Sequence, residues 1–359
     1  MNFTRPAIIE ELRREAQGAT TKEKSKSAMR SQLRRDPDKE LFYIKTADVW
    51  LKEEAGKPEA RQLLGTLWHE HELCILFADT NVGKSILAVQ IGYNLGKQCG
   101  MEPFGSQVNE ALKVLYIDFE LSPAQFKTRY TDNAFGMHHF GENFIRAEFN
   151  PAGDDPLLYD KYEEYVQQKI DSAIQAAKAD VLIIDNISCM GSATHHAGGA
   201  LPLMKTLKSL KTKYQLSVLV LAHTPKRKPF NPITVNDLQG SKMLINFADS
   251  AFAIGQSYRQ PGLRYIKQIK QRNTGSHYGE ANICLFGISK QQSFLGFTFA
   301  GFDNEQAHLQ KPTTALSYEM KQRVAGLKRQ GLSVRQVADH LKISSSTVQR
   351  IVSKMKDAG

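Results

Sequence analysis

The sequence is poor in cysteine and has no long apolar run, and each shortage removes a class of protein. Its four cysteines (Cys74, Cys99, Cys189 and Cys284) are scattered through 359 residues with no C-x-x-C pair. Neither a disulfide framework nor a zinc site of common spacing follows from them, and they read as reduced, mostly buried thiols. No apolar stretch approaches the ~20 residues that span a bilayer. The start, Met1-Asn2-Phe3-Thr4-Arg5, also lacks the charged-then-apolar build of a signal peptide. A cytoplasmic chain without membrane contact is expected. Residues 1–40 are short of apolar material as well: the run from Thr20 to Ser27 has almost nothing to bury, so a mobile basic arm is expected there.

What is present is ordinary core material and unevenly placed positive charge. The hydrophobic share is 41% and the net charge is +10, enough for one large domain with small appendages. Residues 1–40 hold 10 Lys/Arg and 7 Asp/Glu, residues 311–359 hold 10 and 3, and the stretch between is balanced at 27 and 27. Inside that stretch, residues 226–290 carry 10 basic against 3 acidic groups. Clustered basic charge points to nucleic acid more than to an acidic small substrate, with a solvated face as the plainer alternative.

The organising stretch is Leu76-Phe77-Ala78-Asp79-Thr80-Asn81-Val82-Gly83-Lys84-Ser85, a buried-strand pattern running through a tight loop into an apolar-periodic helix from Ile86 to Leu95. The spacing A-x-x-x-x-G-K-S suits a triphosphate, with backbone N–H groups curling around phosphate oxygens at the positive end of a helix. Asn81, Val82, Gly83, Lys84, Ser85 and Ile86 form the candidate nucleotide loop. Lys84 reaches the β- and γ-phosphates, and the Ser85 hydroxyl holds Mg²⁺. The first position, usually glycine, is Ala78, whose methyl could strain the loop.

Strand patterns at Lys113–Glu120, Val181–Asp185 and Ser217–His223 alternate with helical ones, and shorter strands follow from Ser250 to Phe299. This predicts an α/β fold: a mainly parallel sheet with an antiparallel edge and functional groups at the strands' carboxyl ends. The expected boundaries are an arm at 1–40, an ATPase domain at 41–302, a linker at 303–317 and a small all-helical domain at 318–359.

Two strand ends compete for magnesium. Asp185, after four aliphatics, is preferred for the metal and Glu120 for activating the attacking water, while Asp118 reads as a loop-fixing acid. His223 is either structural or a sensor of the γ-phosphate. The loop after it carries Lys226, Arg227 and Lys228 in succession. His195-His196 suggests a metal pair, but adjacent side chains splay apart and a solvated loop is the preferred reading.

In their order and spacing, A-D-T-N-V-G-K-S, D-F-E-L-S, L-I-I-D-N, V-L-A-H-T, L-Q-G-S-K followed by A-D-S-A-F, and I-K-Q-R-N-T-G resemble the RecA-like P-loop ATPases, specifically the RepA type of hexameric replicative helicase related to DnaB. The likeness spans roughly residues 45–300. It implies ATP and Mg²⁺ as ligands, a homo-oligomeric, hexameric ring, and a catalytic glutamate, Glu120, ending the strand next to the phosphate-loop strand. It further implies that Lys270 and Arg272 reach a neighbouring subunit's nucleotide; a charged edge strand is the alternative. The loops after Asp185 and His223 would line the central hole.

The last segment looks like a helix-turn-helix of the recombinase or transcription-factor kind. A helix from Tyr318 to Arg329 ends at Gly331, and Ser333-Val334-Arg335-Gln336 is a capping box for the next. The third helix would present Ser345, Ser346, Thr347, Gln349 and Arg350 to DNA, with Arg335 beside them; a protein-docking bundle is the alternative. The leading expectation is a DNA-associated ATPase motor serving replication or transfer of a plasmid or mobile element. The alternatives are an ATP-dependent DNA-bound switch that recruits replication or recombination proteins, and a nucleotide-binding transcriptional regulator.

Overall fold

The computed structural model describes residues 42–150, 162–190, 197–225, 227–238, 242–310 and 314–356. The expected arm at 1–40 lies outside them. The chain divides into two units, Met1–Glu59 and Ala60–Gly359, so the division falls after Glu59 rather than at residue 40. The first unit contributes helix α1 (Ala47–Ala55), none of whose residues is buried. Phe42, Tyr43, Ile44 and Leu51 are likewise exposed.

The second unit is built on one nine-stranded sheet. Its strands are β1 (Leu73–Ala78), β2 (Val114–Asp118), β3 (Phe144–Glu148), β4 (Val181–Asp185), β5 (Ser217–His223), β6 (Ser250–Gln256), β7 (Leu263–Lys270), β8 (Ile283–Gln291) and β9 (Phe294–Asp303). Between them run α2 (Lys84–Gly96), α3 (Pro123–Arg129), α4 (Tyr162–Ala177), α5 (Ala197–Tyr214) and α6 (Lys242–Phe247). The order across the sheet is β9-β8-β7-β6-β1-β5-β4-β2-β3. From β6 to β3 all neighbours are parallel, and β6 to β9 form an antiparallel wing.

The central strands are near-continuous apolar runs because helices cover both faces of a parallel sheet. Along β1 the side chains alternate between two cores. Leu73, Ile75 and Phe77 pack with residues of α4 and α5; Cys74, Leu76 and Ala78 pack with Leu87, Ala88, Ile91 and Leu95 of α2. Helix α2 lies close to the sheet at Gly92, where a Cβ would sit 2.8 Å from the Phe144 ring and 3.0 Å from Ile183.

Two expectations are corrected by this order. Glu120 follows β2, which does not adjoin the phosphate-loop strand: β5 and β4 lie between, so the two strand axes are about 14 Å apart at ordinary sheet spacing. The parallel crossovers through α4 and α5 set that order. In addition, β7 is flanked by β6 and β8, so the reading of Lys270 as the guard of a sheet edge fails.

The segment expected as a linker is largely folded. Asn304 caps α7 (Glu305–His308), and Glu305 is fully buried. Its carboxylate accepts from Ile233 N at 2.8 Å and Tyr265 OH at 3.1 Å and pairs with Lys267. His308 meets Ser257 Oγ at 2.7 Å and Asp303 at 2.9 Å. Residues 311–313 lie outside the described residues, and α8 (Thr314–Arg329) takes up the rest. It precedes α9 (Val334–Leu341) and α10 (Ser345–Lys356). The three helices share a small core around Val324, Val337, Ala338 and Val348, and Ser333 with Gln336 forms the capping box expected at α9.

A buried cation left without its partner costs about 3–5 kcal/mol. Glu305→Ala is therefore expected to lower unfolding free energy by that amount in urea titrations. Truncation after Asp303 should do the same, while truncation after Gln310 should leave the nine-stranded sheet and its helices unaffected.

Candidate functional site

The nucleotide loop leaves β1 at Ala78. This residue is fully buried at the end of an ordinary strand and is not among the residues of positive φ, so the missing first glycine is not needed for conformation. The demanding positions come later. Asn81 has φ of +63°. Gly83, with φ of +106°, also lies where a Cβ would come within 2.8 Å of Ile288 and 2.9 Å of Phe297. Backbone conformation and contact with the antiparallel wing together require glycine at 83. Val82 is buried, Ser85 and Ile86 are half-buried, and Asn81 is exposed.

Lys84 opens α2 from a buried position. Its Nζ donates to the carbonyls of Ala78 and Asp79, each at 3.1 Å, and lies 3.1 Å from His223 Nδ1. Burial lowers its pKa, against the opposing pull of Asp185, Glu120 and Asp79. His223 stands beside the loop because β5 pairs with β1 in parallel, opposing His223 to Ala78. Asp79 and Thr224 are hydrogen-bonded across the same junction.

Asp185 ends β4 opposite Asp118 and is almost wholly buried. Burial pushes its carboxyl up to about 6, opposed by interaction with Ser85 and Tyr116. Tyr116 OH donates to Oδ2 at 2.6 Å, while Oδ1 has no hydrogen-bond partner among the described residues. A carboxylate oxygen buried without a donor beside the Ser85 hydroxyl is what a hard divalent cation needs, so these residues fit Mg²⁺. No cluster of three His, Cys, Asp or Glu suited to a metal occurs among the described residues; His195 and His196 lie outside them.

Glu120 reaches this group from β2 although its strand is distant. Its loop is fixed by Asp118, whose Oδ1 accepts from Glu120 N at 3.0 Å and Leu121 N at 2.9 Å. Arg146, from the edge strand β3, holds Asp118 Oδ2 at 2.9 Å and Leu121 O at 2.5 Å. The Glu120 carboxylate lies 3.4 Å from His223 Nε2 and accepts from Asn186 Nδ2. The hydrogen bond from His223 is the main reason its pKa is lowered, with Lys84 and Asn186 adding to the effect. Sequence reasoning passed over Asn186 and Arg146. The signal for Asn186 was its place directly after Asp185; nothing in the sequence marked Arg146.

Lys270 and Arg272 are not part of this group. Lys270 opposes Ala251, which opposes Ile75, and the chain then runs away from the loop. Arg272 therefore lies near the amino end of β1, about 20 Å of strand from Lys84. Lys270 Nζ donates to the carbonyls of Ile245 and Ala248 at 2.6 and 2.8 Å at the end of α6. Arg272 is exposed and bonds Asn246 O at 2.9 Å.

The basic loop after His223 is corrected in part. Arg227 points inward: its side chain is only 9% exposed, bonds Asn231 O at 2.5 Å and faces Asp237. Two acceptors and burial occupy a cation expected to meet DNA. Lys228 is exposed, near the Phe230 ring; Lys226 lies outside the described residues. In the helix-turn-helix, Arg335, Ser345, Ser346, Gln349 and Arg350 are exposed, whereas Thr347 is half-buried and its hydroxyl is tied to the capping Ser344 at 2.8 Å.

Residues 39–229, more than half of the chain, match the family model of an AAA domain, and residues 315–359 match that of a homeodomain-like domain. No curated protein matches the chain. Among solved structures, a KaiC-like protein from the hyperthermophilic archaeon Pyrococcus horikoshii OT3 aligns over 67% of this chain and 99% of its own, at 12% identity and a TM-score of 0.44. No helix among the described residues is long and apolar enough to cross a membrane.

The raised Asp185 carboxyl sets a trade between stability and binding. Because folding raises its pKa, the folded state favours the protonated form; that stability is present below the unfolded carboxyl range and lost as pH rises through about 6. Asp185→Asn is expected to raise stability at pH 7.5 by up to roughly 3 kcal/mol. The gain should vanish below about pH 4, while Mg²⁺-dependent ATP binding is lost. Thermal unfolding against pH, with calorimetric titration of ATP and Mg²⁺, checks both.

Proposed function

Because the chain belongs to the AAA domain family and carries a helix-turn-helix DNA-binding domain, we propose that it is an ATP-hydrolysing, DNA-associated motor of the RepA type, working as a homo-oligomeric ring. The carrying observation is the meeting of Lys84, Ser85, Asp185, Glu120 and His223 at adjacent strand tips above the amino end of α2. The loop amides and Lys84 hold the triphosphate, releasing Lys84 from the Ala78 and Asp79 carbonyls. Mg²⁺, held by Ser85 and Asp185, supplies charge neutralisation when bound. Glu120, kept ionised by its donors, takes the proton of the water that attacks the γ-phosphorus as the bond to ADP breaks.

Arg272, remote from its own chain's loop and exposed, suits a cation given in trans, so that turnover depends on assembly. Lys270 shares that location, but its ammonium would have to leave the α6 carbonyls to take part. The exposed side chains of α10 and Arg335 are the DNA-reading set. Replication or transfer of a mobile element is the setting in which such a motor serves.

One observation favours a second reading, an ATP-dependent switch on DNA that recruits a replication or recombination partner without unwinding. With Arg227 turned inward, the loop after β5 offers Lys228 as its exposed cation among the described residues.

Turnover should rise with DNA, and mass by light scattering should rise to a closed ring with a non-hydrolysable ATP analogue. Lys84→Ala should abolish hydrolysis. Arg272→Ala protein mixed with Glu120→Gln subunits should regain activity at hybrid interfaces. Strand separation in a forked-duplex assay separates motor from switch, and removal of residues 314–359 should weaken DNA binding more than basal turnover. Undiminished hydrolysis by Lys84→Ala would overturn the site.

A further inference from the structure

Glu120 is an awkward residue for the work assigned to it. Its side chain is 37% exposed, and a long carboxylate at the surface ordinarily samples several rotamers. Asp118 and Arg146 fix only the backbone beneath it. Two donors reach the carboxylate itself, and one of them, His223, also contacts Lys84, which nucleotide would draw away.

The other is Asn186, which is 2% exposed and immediately follows β4. Its amide can be oriented without ambiguity by its partners. The side-chain oxygen accepts from Ser188 N at 2.8 Å, so the NH₂ group must face the opposite way, toward Glu120 Oε1. Both donors take Oε1, leaving Oε2 without a hydrogen-bond partner among the described residues. One oxygen is pinned and the other is open to a water proton.

We infer that Asn186 is a positioning residue for hydrolysis: anchored by Ser188 N–H, it fixes the Glu120 carboxylate in one rotamer with Oε2 turned to the attacking water. The role rests on the ATPase reading above and deepens it. Asn186 need not touch ATP, so its removal acts on the chemical step and not on nucleotide affinity. Neither Lys84 nor His223 substitutes for it, because both contact the site where phosphate enters.

The test is a cycle of single and double variants assayed at saturating Mg²⁺ in the full chain. Asn186→Ala is expected to lower kcat by about 10- to 100-fold, the scale of a misplaced catalytic group, with KM and ATP affinity within about twofold. Asn186→Asp has the same shape and can still accept from Ser188 N–H but donates nothing. It guards against a folding defect and should lose kcat at least as severely. In a Glu120→Gln background, Asn186→Ala should cost nothing further, since its effect runs through the carboxylate.

Equal losses in both backgrounds, a loss in ATP affinity instead of kcat, or an Asn186→Asp variant with full turnover would overturn the inference while leaving the ATPase reading intact. Wild-type protein that binds ATP without hydrolysing it would overturn that reading and this inference together.

Discussion

Four adjacent parallel strands, their tips staggered in register between Asp185 and His223, are the constraint on which the site depends. Backbone register places Ala78 against His223 and Asp118 against Asp185; Glu120 and Asn186 follow those tips within two residues, and the loop after Ala78 returns Lys84 and Ser85 to them. The tips are held by buried ladders whose hydrogen bonds and apolar faces are shared with the whole sheet, so the groups cannot drift singly. The result is a set of mutually satisfied charges: Lys84 on loop carbonyls and His223, Glu120 on Asn186 and His223, Asp118 on Arg146. Asp185 keeps one buried oxygen without a donor among the described residues, and burial opposes ionisation there as it does at Lys84. Burial of that carboxylate comes at a cost in fold stability, as is common at functional sites.

The parts legible in the sequence were those with a local cause. A strand buried on both faces must be an apolar run, so β1, β2, β4 and β5 declared themselves. A helix opening with Ser333 and Gln336 three residues on announces its own cap. The three-helix end and the antiparallel wing were legible for the same reason. What escaped was set by distant partners. Strand β3, Phe-Ile-Arg-Ala-Glu, is half-buried along most of its length at the sheet border, and its pattern does not rise above loop. Arg227 looked free until Asp237 and Asn231 folded against it, and Glu305 looked like a linker acid until Lys267 and Tyr265 enclosed it. Strand order also escaped, because no residue encodes which strands its own will lie between; Glu120 was assigned to the wrong neighbour while its proximity to the phosphate loop was still anticipated.

Contact across the sheet explains how a residue three strands away still serves the loop. The distance is closed by side chains projecting from the tips, Asn186 and His223, which act as intermediates between Glu120 and Lys84. Each intermediate is held by a further bond outside the site, Asn186 by Ser188 N–H and His223 by its place at the end of β5.

Gly83 has one more implication. Because Ile288 and Phe297 press on the very point where the phosphate loop turns into its helix, the antiparallel wing serves as a roof over that turn and cannot be treated as an ornament on the sheet's margin. Engineering that shortens or swaps the β8–β9 hairpin would uncover the loop's apolar underside. Any bulkier residue introduced at 288 or 297 would be felt at the phosphates before it was felt in the core.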